Sequence, residues 1–483
     1  MRKRNQRNDA LGQITDETPY GLIFAGQSSA WRPLLDELLE DPDIRHAIVE
    51  LEKEADRLVA GVADDLLTIE PTGVNILAKK PRSASPRPDF SDSDAVTSIP
   101  GILLTQIALL KTLIKDGLDI SKNAPVSVRG HSQGVLAARA AKALSDGRED
   151  ELAPIVAIAH LIGAAATQVS KRLGIVHTPD GSPMLSIVGA TREEIDAIIA
   201  DLKDALEHPL TVGVTNDIKS HVISGFPSDL EQFARAVAKW HESSVADLQG
   251  KKTGGRVFAP VLDFLDVSAP FHSDLLRPAV DKVVEWAAAC KLSTQLARDL
   301  AKDVLTRQVD WVTKVRHSID DGARWLLDLG PSNVLTRMTR AITKGKDVTV
   351  VSTGTSRGLQ KFSTPGFLPA KPQVWDGYLP KLIELGDGRV VVETAFTRLT
   401  GRSPIALAGM TPTTVDPDIV AAAANAGAWA ELAGGGQFSQ QILLENVGKL
   451  QEQLDPGRTV QFNSMFMDRF LWNLQFGTTR IVP

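Results

Sequence analysis

The stretch Val126-Ser127-Val128-Arg129-Gly130-His131-Ser132-Gln133-Gly134-Val135-Leu136-Ala137-Ala138 constrains this chain more than any other. A short β-branched run enters Gly-x-Ser-x-Gly, and small helix-forming residues leave it. That is the pattern of a nucleophile elbow, a tight strand-to-helix turn that presents a serine hydroxyl. The two glycines let the backbone crowd together. The helix that starts after the serine points free backbone N–H groups at a developing oxyanion. The competing reading is a glycine-rich turn with an incidental serine, and the strand before and helix after argue against it.

A serine alone is a weak nucleophile and needs a base within hydrogen-bond reach. Of nine histidines, His272 is the leading candidate. It lies in Val267-Ser268-Ala269-Pro270-Phe271-His272-Ser273, a strand-to-loop exit, so its pairing with Ser132 has to be made by the fold. His131, His160 and His221 are alternatives. His131 is fixed beside the elbow and points away from its neighbour's hydroxyl.

The 483 residues call for two or three domains. A net charge of -6 argues against a general nucleic-acid binder. The basic patches Arg2-Lys3-Arg4 and Lys251-Lys252 read as solvated segments. The single cysteine, Cys290, excludes an internal disulfide framework and a cysteine-based zinc site. It fits a reducing, cytoplasmic setting, and no metal is expected. No run approaches eighteen apolar residues, so no membrane partner is expected. The N-terminus has no apolar stretch of signal-peptide type.

Along the chain, Gly21-Leu22-Ile23-Phe24-Ala25 reads as a first strand, and 101–115 and 152–171 as buried apolar helices. Residues 183–245 follow a β-α-β-β-α order, which suits a ferredoxin-like insertion into an α/β core spanning 1–182 and 246–356. Residues 357–389 read as a linker, and a different unit occupies 390–483.

Four motifs then carry a resemblance. Phe24-Ala25-Gly26-Gln27, Gly130-His131-Ser132-Gln133-Gly134, Ala269-Pro270-Phe271-His272-Ser273 and Leu329-Gly330-Pro331-Ser332-Asn333-Val334-Leu335 stand in the order of acyl-CoA:acyl-carrier-protein transferases of fatty acid and polyketide synthases. The resemblance implies an α/β-hydrolase-like core with a ferredoxin-like insertion. It implies Ser132 as acyl-carrying nucleophile, His272 as general base and acid, and the backbone N–H groups of Gln27 and Gln133 as oxyanion hole. No triad aspartate is implied, and Asp263, Asp266 and Asp274 read as structural. Gln308, in Gln308-Val309-Asp310-Trp311, resembles the segment that orients the base. Acyl-CoA and the phosphopantetheine arm of an acyl carrier protein are the implied partners, and the transferase needs no cofactor.

One departure bears on selectivity. Malonyl-selective members place an arginine before a glycine in the helix after the elbow, where it pairs bidentately with the malonyl carboxylate. Here that helix reads Ala159-His160-Leu161-Ile162-Gly163, and Ile162 stands in the arginine's place. A desolvated carboxylate without a partner costs about 3–5 kcal/mol. The expectation is therefore acetyl or another uncharged acyl group. Malonyl or a longer acyl group is the alternative, with Arg139 or Arg172 as other cations. Rival classes are a serine hydrolase or thioesterase and a mainly structural module.

The last unit contains Ala408-Gly409-Met410-Thr411-Pro412 and Ala430-Glu431-Leu432-Ala433-Gly434-Gly435-Gly436. By itself this is strand, turn, helix and strand, compatible with any β/α barrel. It resembles the opening of the flavin-dependent enoyl reductase domain of type I fatty acid synthases. The resemblance implies flavin mononucleotide against Ala408, Gly409, Met410 and Thr411, with Asn463 as a further contact and NADPH or NADH as reductant, in an intact TIM-type barrel. Two of eight βα units are expected within this sequence. Transferase followed by reductase resembles the start of the actinobacterial single-chain synthases and the fungal β chain. That order implies an N-terminal piece of a multienzyme that forms a large homo-oligomer with other synthase domains.

Overall fold

The computed structural model describes residues 19–26, 31–78, 93–175, 181–250, 259–362, 364 and 379–477. It divides into two units, Met1–Gln373 and Val374–Pro483.

In the first unit, β1 (Tyr20–Phe24), β2 (Ser127–Gly130), β8 (Trp325–Asp328) and β9 (Thr349–Ser352) form a parallel sheet in the order β2-β1-β8-β9. Every residue of β1 is buried, because helices cover both faces of a parallel sheet and leave no wet side. The strand's alternation divides its side chains between two cores. Leu22 and Phe24 join the large cluster built on the helices Ala95–Lys115 and Leu152–Arg172. Ile23 and Ala25 face Trp311, Val315, Leu326 and Val350. The two helices are long and apolar enough by composition to cross a membrane, but most of their surface is buried in this core.

The second sheet contains β3 (Met184–Val188), β4 (Thr211–Asp217), β5 (Ser220–Ser224), β6 (Val261–Phe264) and β7 (Val309–Asp310), in the order β6-β3-β5-β4-β7. The first four strands pair antiparallel, and β4 pairs parallel with β7. With the helices Arg192–Leu202 and Pro227–Gly250 they enclose a separate core around Leu185, Ile187, Ile195, Val212, Ile223 and Phe233. The expected limit of 183–245 falls short of this sheet. The strand β6 pairs with β3 from beyond it, so the element order gains a closing strand that the sequence pattern did not reveal. The half-exposed Val261-Leu262-Asp263-Phe264 has too few buried positions to announce itself.

In the second unit, β10 (Lys381–Glu384) and β11 (Val390–Glu393) form an antiparallel hairpin, so part of the expected linker is ordered as strand. Beyond it, β12 (Ala406–Leu407), β13 (Trp429–Ala433) and β14 (Gln461–Asn463) form a parallel sheet. Each strand is followed by a helix: Pro417–Asn425, Gln440–Gln453 and Arg469–Phe476. Among the described residues three βα units are present where two were expected; the third is β14 with the helix Arg469–Phe476, whose strand has only three residues. The core of this unit is small and includes Val420, Ala424, Leu432, Leu443 and Leu450.

Candidate active site

Ser132 follows β2 and precedes the helix Gly134–Ser145, with φ of 52°. A positive φ strains a residue with a side chain. The turn is possible because its glycines are small. A Cβ on Gly130 would lie 2.1 Å from the Val135 nitrogen, and one on Gly134 would lie 2.3 Å from the Phe24 carbonyl oxygen. Gly26 at the end of β1 sits against the serine, where a Cβ would come within 2.7 Å of the Ser132 Cβ.

The Ser132 Oγ lies 2.7 Å from His272 Nε2, and His272 Nδ1 lies 2.7 Å from the carbonyl oxygen of Arg307. A carbonyl only accepts, so Nδ1 carries the proton and Nε2 is left with its lone pair for the serine hydroxyl. His272 is fully buried. Burial pushes its pKa down to about 4, and the charges of His131 and Lys314 act in the same direction, against the Arg307 carbonyl. The imidazole is therefore neutral, as a base must be.

Like Ser132, His272 has a positive φ, 58°. It is seated by the second sheet. A Cβ on Gly213 of β4 would lie 2.8 Å from the His272 Cβ. Ser224 Oγ of β5 donates to the Phe271 carbonyl at 2.6 Å. Neither Gly213 nor Ser224 carries a chemical signature, and sequence reading missed both.

The three alternative histidines are engaged elsewhere. His131 Nε2 donates to Asn216 Oδ1 of β4 at 2.7 Å, and its ring meets Trp311 edge-on. His160 faces Glu52 at 3.3 Å. His221 lies against Thr215 and the Ile218 carbonyl.

Lys314 stands behind the elbow. Its Nζ donates to the Gly130 carbonyl at 2.8 Å, and burial lowers its pKa. Gln308 is exposed, and the group on His272 Nδ1 is the carbonyl of its neighbour Arg307. The base-orienting role read onto Gln308 therefore moves by one residue. A main-chain acceptor leaves no mark on side-chain identity, which is why the sequence could not place it.

The Gln133 amide has no backbone acceptor among the described residues, whereas those of Gly134, Val135 and Leu136 donate to the carbonyls of His131, Ser132 and Gln133. This leaves it available beside Ser132. Gln27 lies outside the described residues. Ile162 is fully buried in the helix Leu152–Arg172. Arg139 is paired with Glu151 at 2.6 Å, and Arg172 is exposed.

In the second unit, Ala408, Gly409, Met410, Thr411 and Asn463 gather at the C-terminal ends of β12 and β14. Glu431 of β13 joins them. Its Oε2 accepts from the Gly409 amide at 2.9 Å and from Asn463 Nδ2 at 3.1 Å. A Cβ on Gly409 would lie 2.3 Å from the Asn463 Cβ, and one on Gly435 would lie 2.3 Å from Thr411 Oγ1. The Met410 amide donates to Thr414 Oγ1 at 2.7 Å. The amides of Gly409 and Met410 are thus spent within the protein.

The first unit therefore holds a serine on a strained elbow, oriented toward a neutral histidine that a backbone carbonyl holds in one tautomer. Comparison with known proteins gives this arrangement a context. Residues 183–264, spanning β3 through β6, match the family described as the fatty acid synthase central AT domain. The chain is 29% identical to fatty acid synthase subunit beta of Aspergillus oryzae over 92% of its own length and 25% of the relative's. It is also 29% identical to fatty acid synthase subunit beta of Saccharomyces cerevisiae, over 61% of the chain and 16% of that relative. It thus spans a quarter or less of the length of either relative. Among solved structures, FabD from Acinetobacter baumannii is 18% identical with a TM-score of 0.49, covering 72% of this chain and 97% of its own. MCAT from Mycobacterium tuberculosis is 16% identical with a TM-score of 0.47, covering 71% and 100%.

Proposed function

We propose that the first unit is an acyltransferase that moves an acyl group from coenzyme A to the phosphopantetheine thiol of an acyl carrier protein, as part of a fatty acid synthase. The observation that carries this reading is the Ser132–His272–Arg307 carbonyl relay, with both side chains on strained backbone. The similarity to fatty acid synthase β subunits and the central AT match of residues 183–264 support the substrate class. In this reading the 183–264 unit is a ferredoxin-like insertion whose β4 and β5 seat the base.

In the first half-reaction His272 Nε2 accepts the Ser132 proton as Oγ bonds to the thioester carbon. The Gln133 amide donates to the oxyanion, joined by that of Gln27. The C–S bond breaks, and the CoA sulfur takes the proton from His272. The carrier thiol then attacks the acyl-serine, giving its proton to His272, and the serine oxygen recovers it.

Ile162 gives the acyl pocket an aliphatic wall where a carboxylate would need a cation, which favours acetyl over malonyl. The second unit is read as the start of a β/α barrel that binds flavin mononucleotide. Its residues fit such a group. The glycines at 409 and 434–436 let Asn463, Thr411 and Val415 pack against the strand ends, and in the loops that follow the strands Met410, Phe438 and Phe466 expose apolar surface. The flavin would supply hydride transfer from NADPH or NADH. Asn463, tied to the Gly409 amide through Glu431, would meet its edge. The synthase setting implies a large cytoplasmic homo-oligomer.

The test is intact-mass measurement after brief exposure to acetyl-CoA or malonyl-CoA, followed by peptide mapping. An acetyl adduct on the peptide containing Ser132, absent in Ser132→Ala, is expected. A label on Cys290, or rapid release of acetate to water, would defeat the transferase reading. Equal loading of malonyl in the wild type, or no gain of malonyl loading in Ile162→Arg, would defeat the selectivity reading.

A further inference from the structure

The end of β1 brackets the elbow. The Phe24 carbonyl accepts from the His131 amide at 2.9 Å, and Gly26 lies against the Ser132 Cβ. What holds the end of β1 in turn is Gln106, which comes from the distant helix Ala95–Lys115 and is 1% exposed. Its Nε2 donates to the Ala25 carbonyl at 2.8 Å and to the Gly330 carbonyl at 2.5 Å. Both hydrogens of one amide are thus used to tie the outgoing ends of β1 and β8 together.

These two ties do different work. Gly330 is also held by Asp328, whose Oδ1 accepts from the Gly330 amide at 2.9 Å, and its carbonyl accepts from the Ala25 amide as well. For the Ala25 carbonyl, Gln106 is the side-chain donor. Among the described residues no other donor reaches the Ala25 carbonyl, so loss of Gln106 costs this acceptor its partner there, next to the glycine that touches the nucleophile. Gly26 is the next residue, so a chain that moves to rehydrate this carbonyl moves Gly26 relative to Ser132.

We infer that Gln106 is a positioning residue for acyl transfer: by clamping the Ala25 and Gly330 carbonyls it fixes the end of β1 against the elbow and so sets where Ser132 Oγ stands. This rests on the proposed acyltransferase reading. No hydrogen bond among the described residues joins Gln106 to His272, so its loss acts on the nucleophile's placement and leaves the base's titration alone. A displacement on the order of 1 Å at a reacting group costs about 100-fold in rate.

Gln106→Leu removes both donors at similar volume. Gln106→Glu, protonated among carbonyls, keeps one donor. Single-turnover acetylation by acetyl-CoA, its pH dependence and thermal melting are measured for wild type and both variants. The expected result is a 10- to 100-fold fall in the maximal acylation rate for Gln106→Leu. Half-saturation should stay within about threefold, the acid limb should stay in place, and Gln106→Glu should fall between. If Gln106→Leu does not melt cooperatively, Gln106→Glu alone is expected to show the rate loss with unchanged half-saturation. A folded variant that acylates within twofold of wild type, a change confined to half-saturation, or a moved acid limb would overturn the inference. Failure of the wild type to label on Ser132 would instead bring down the acyltransferase reading itself.

Discussion

Ser132 and His272 meet at 2.7 Å, yet they arrive by opposite routes. The serine's turn is made by its own neighbours, with β2, two glycines and the first turn of the following helix all within the thirteen residues from Val126 to Ala138, and the end of β1 steadies it. The histidine is placed by strangers. Gly213 of β4 gives it room, Ser224 of β5 holds the carbonyl before it, and Arg307 offers the acceptor for its Nδ1. Ser132 belongs to the parallel sheet, and His272 leans on the second sheet. A chemical step that needs both is therefore a report on how the two sheets are joined.

Perturbing the borrowed half should separate activity from folding. The largest effect is expected from His272→Ala, where loss of the general base lowers the acylation rate by about 10²–10⁴-fold, with the elbow intact and the protein folded. An equally fast His272→Ala would mean that the two sheets need not cooperate.

Gly213→Ala comes next. The new Cβ meets the His272 Cβ at 2.8 Å and its carbonyl oxygen at 3.0 Å, neither of which can swing aside. A rate loss of about 100-fold is expected, with melting changed far less than by Gly130→Ala, whose Cβ would strike the elbow's own backbone at 2.1 Å. If the two variants melt alike and retain equal activity, the contrast between local and borrowed placement fails.

The pH dependence sharpens the contrast. His272 must be neutral to accept a proton, and its pKa is lowered from 6.5 to about 4. The acid limb of kcat/KM should therefore lie near pH 4, with activity falling as pH drops through it. Stability follows the same sign. Between pH 6.5 and 4 the unfolded chain takes up a proton that the folded chain refuses, so His272's contribution is lost as pH falls. In Lys314→Met a positive charge that disfavours imidazolium is gone, and the acid limb should move upward. An acid limb that stays fixed, or moves down, would show that Lys314 serves only as the support of the Gly130 carbonyl.

The smallest effect is expected from Ser224→Ala. It removes one hydrogen bond to the Phe271 carbonyl and should cost about 1 kcal/mol in denaturant unfolding, with a modest loss of rate because Gly213 still shapes the seat. A rate loss as large as that of Gly213→Ala would make the hydrogen bond, not the packing, the element that holds the base.

The second unit repeats the lesson in a different form. The glycines of 434–436 and the Ala408-Gly409-Met410-Thr411 run were legible as the turns of a β/α repeat. Glu431 was not, although it ties Gly409 to Asn463. A glutamate in a strand reads as a solvated position until the fold shows that two other strand ends converge on it.

The sequence by itself determined the elbow, because Gly-x-Ser-x-Gly between a strand and a helix leaves the backbone only one compact course, with the hydroxyl outward. It also determined the order of the buried helices and strands through their apolar periodicity. Tertiary structure decided the rest: that His272, singled out by its motif, stands 2.7 Å from Ser132, that the Arg307 carbonyl fixes its tautomer, and that β6 pairs with β3 at the edge of the second sheet. These depend on contacts between residues far apart in the chain, through backbone carbonyls and the absence of a Cβ. Such contacts act through position and leave no signature in residue type.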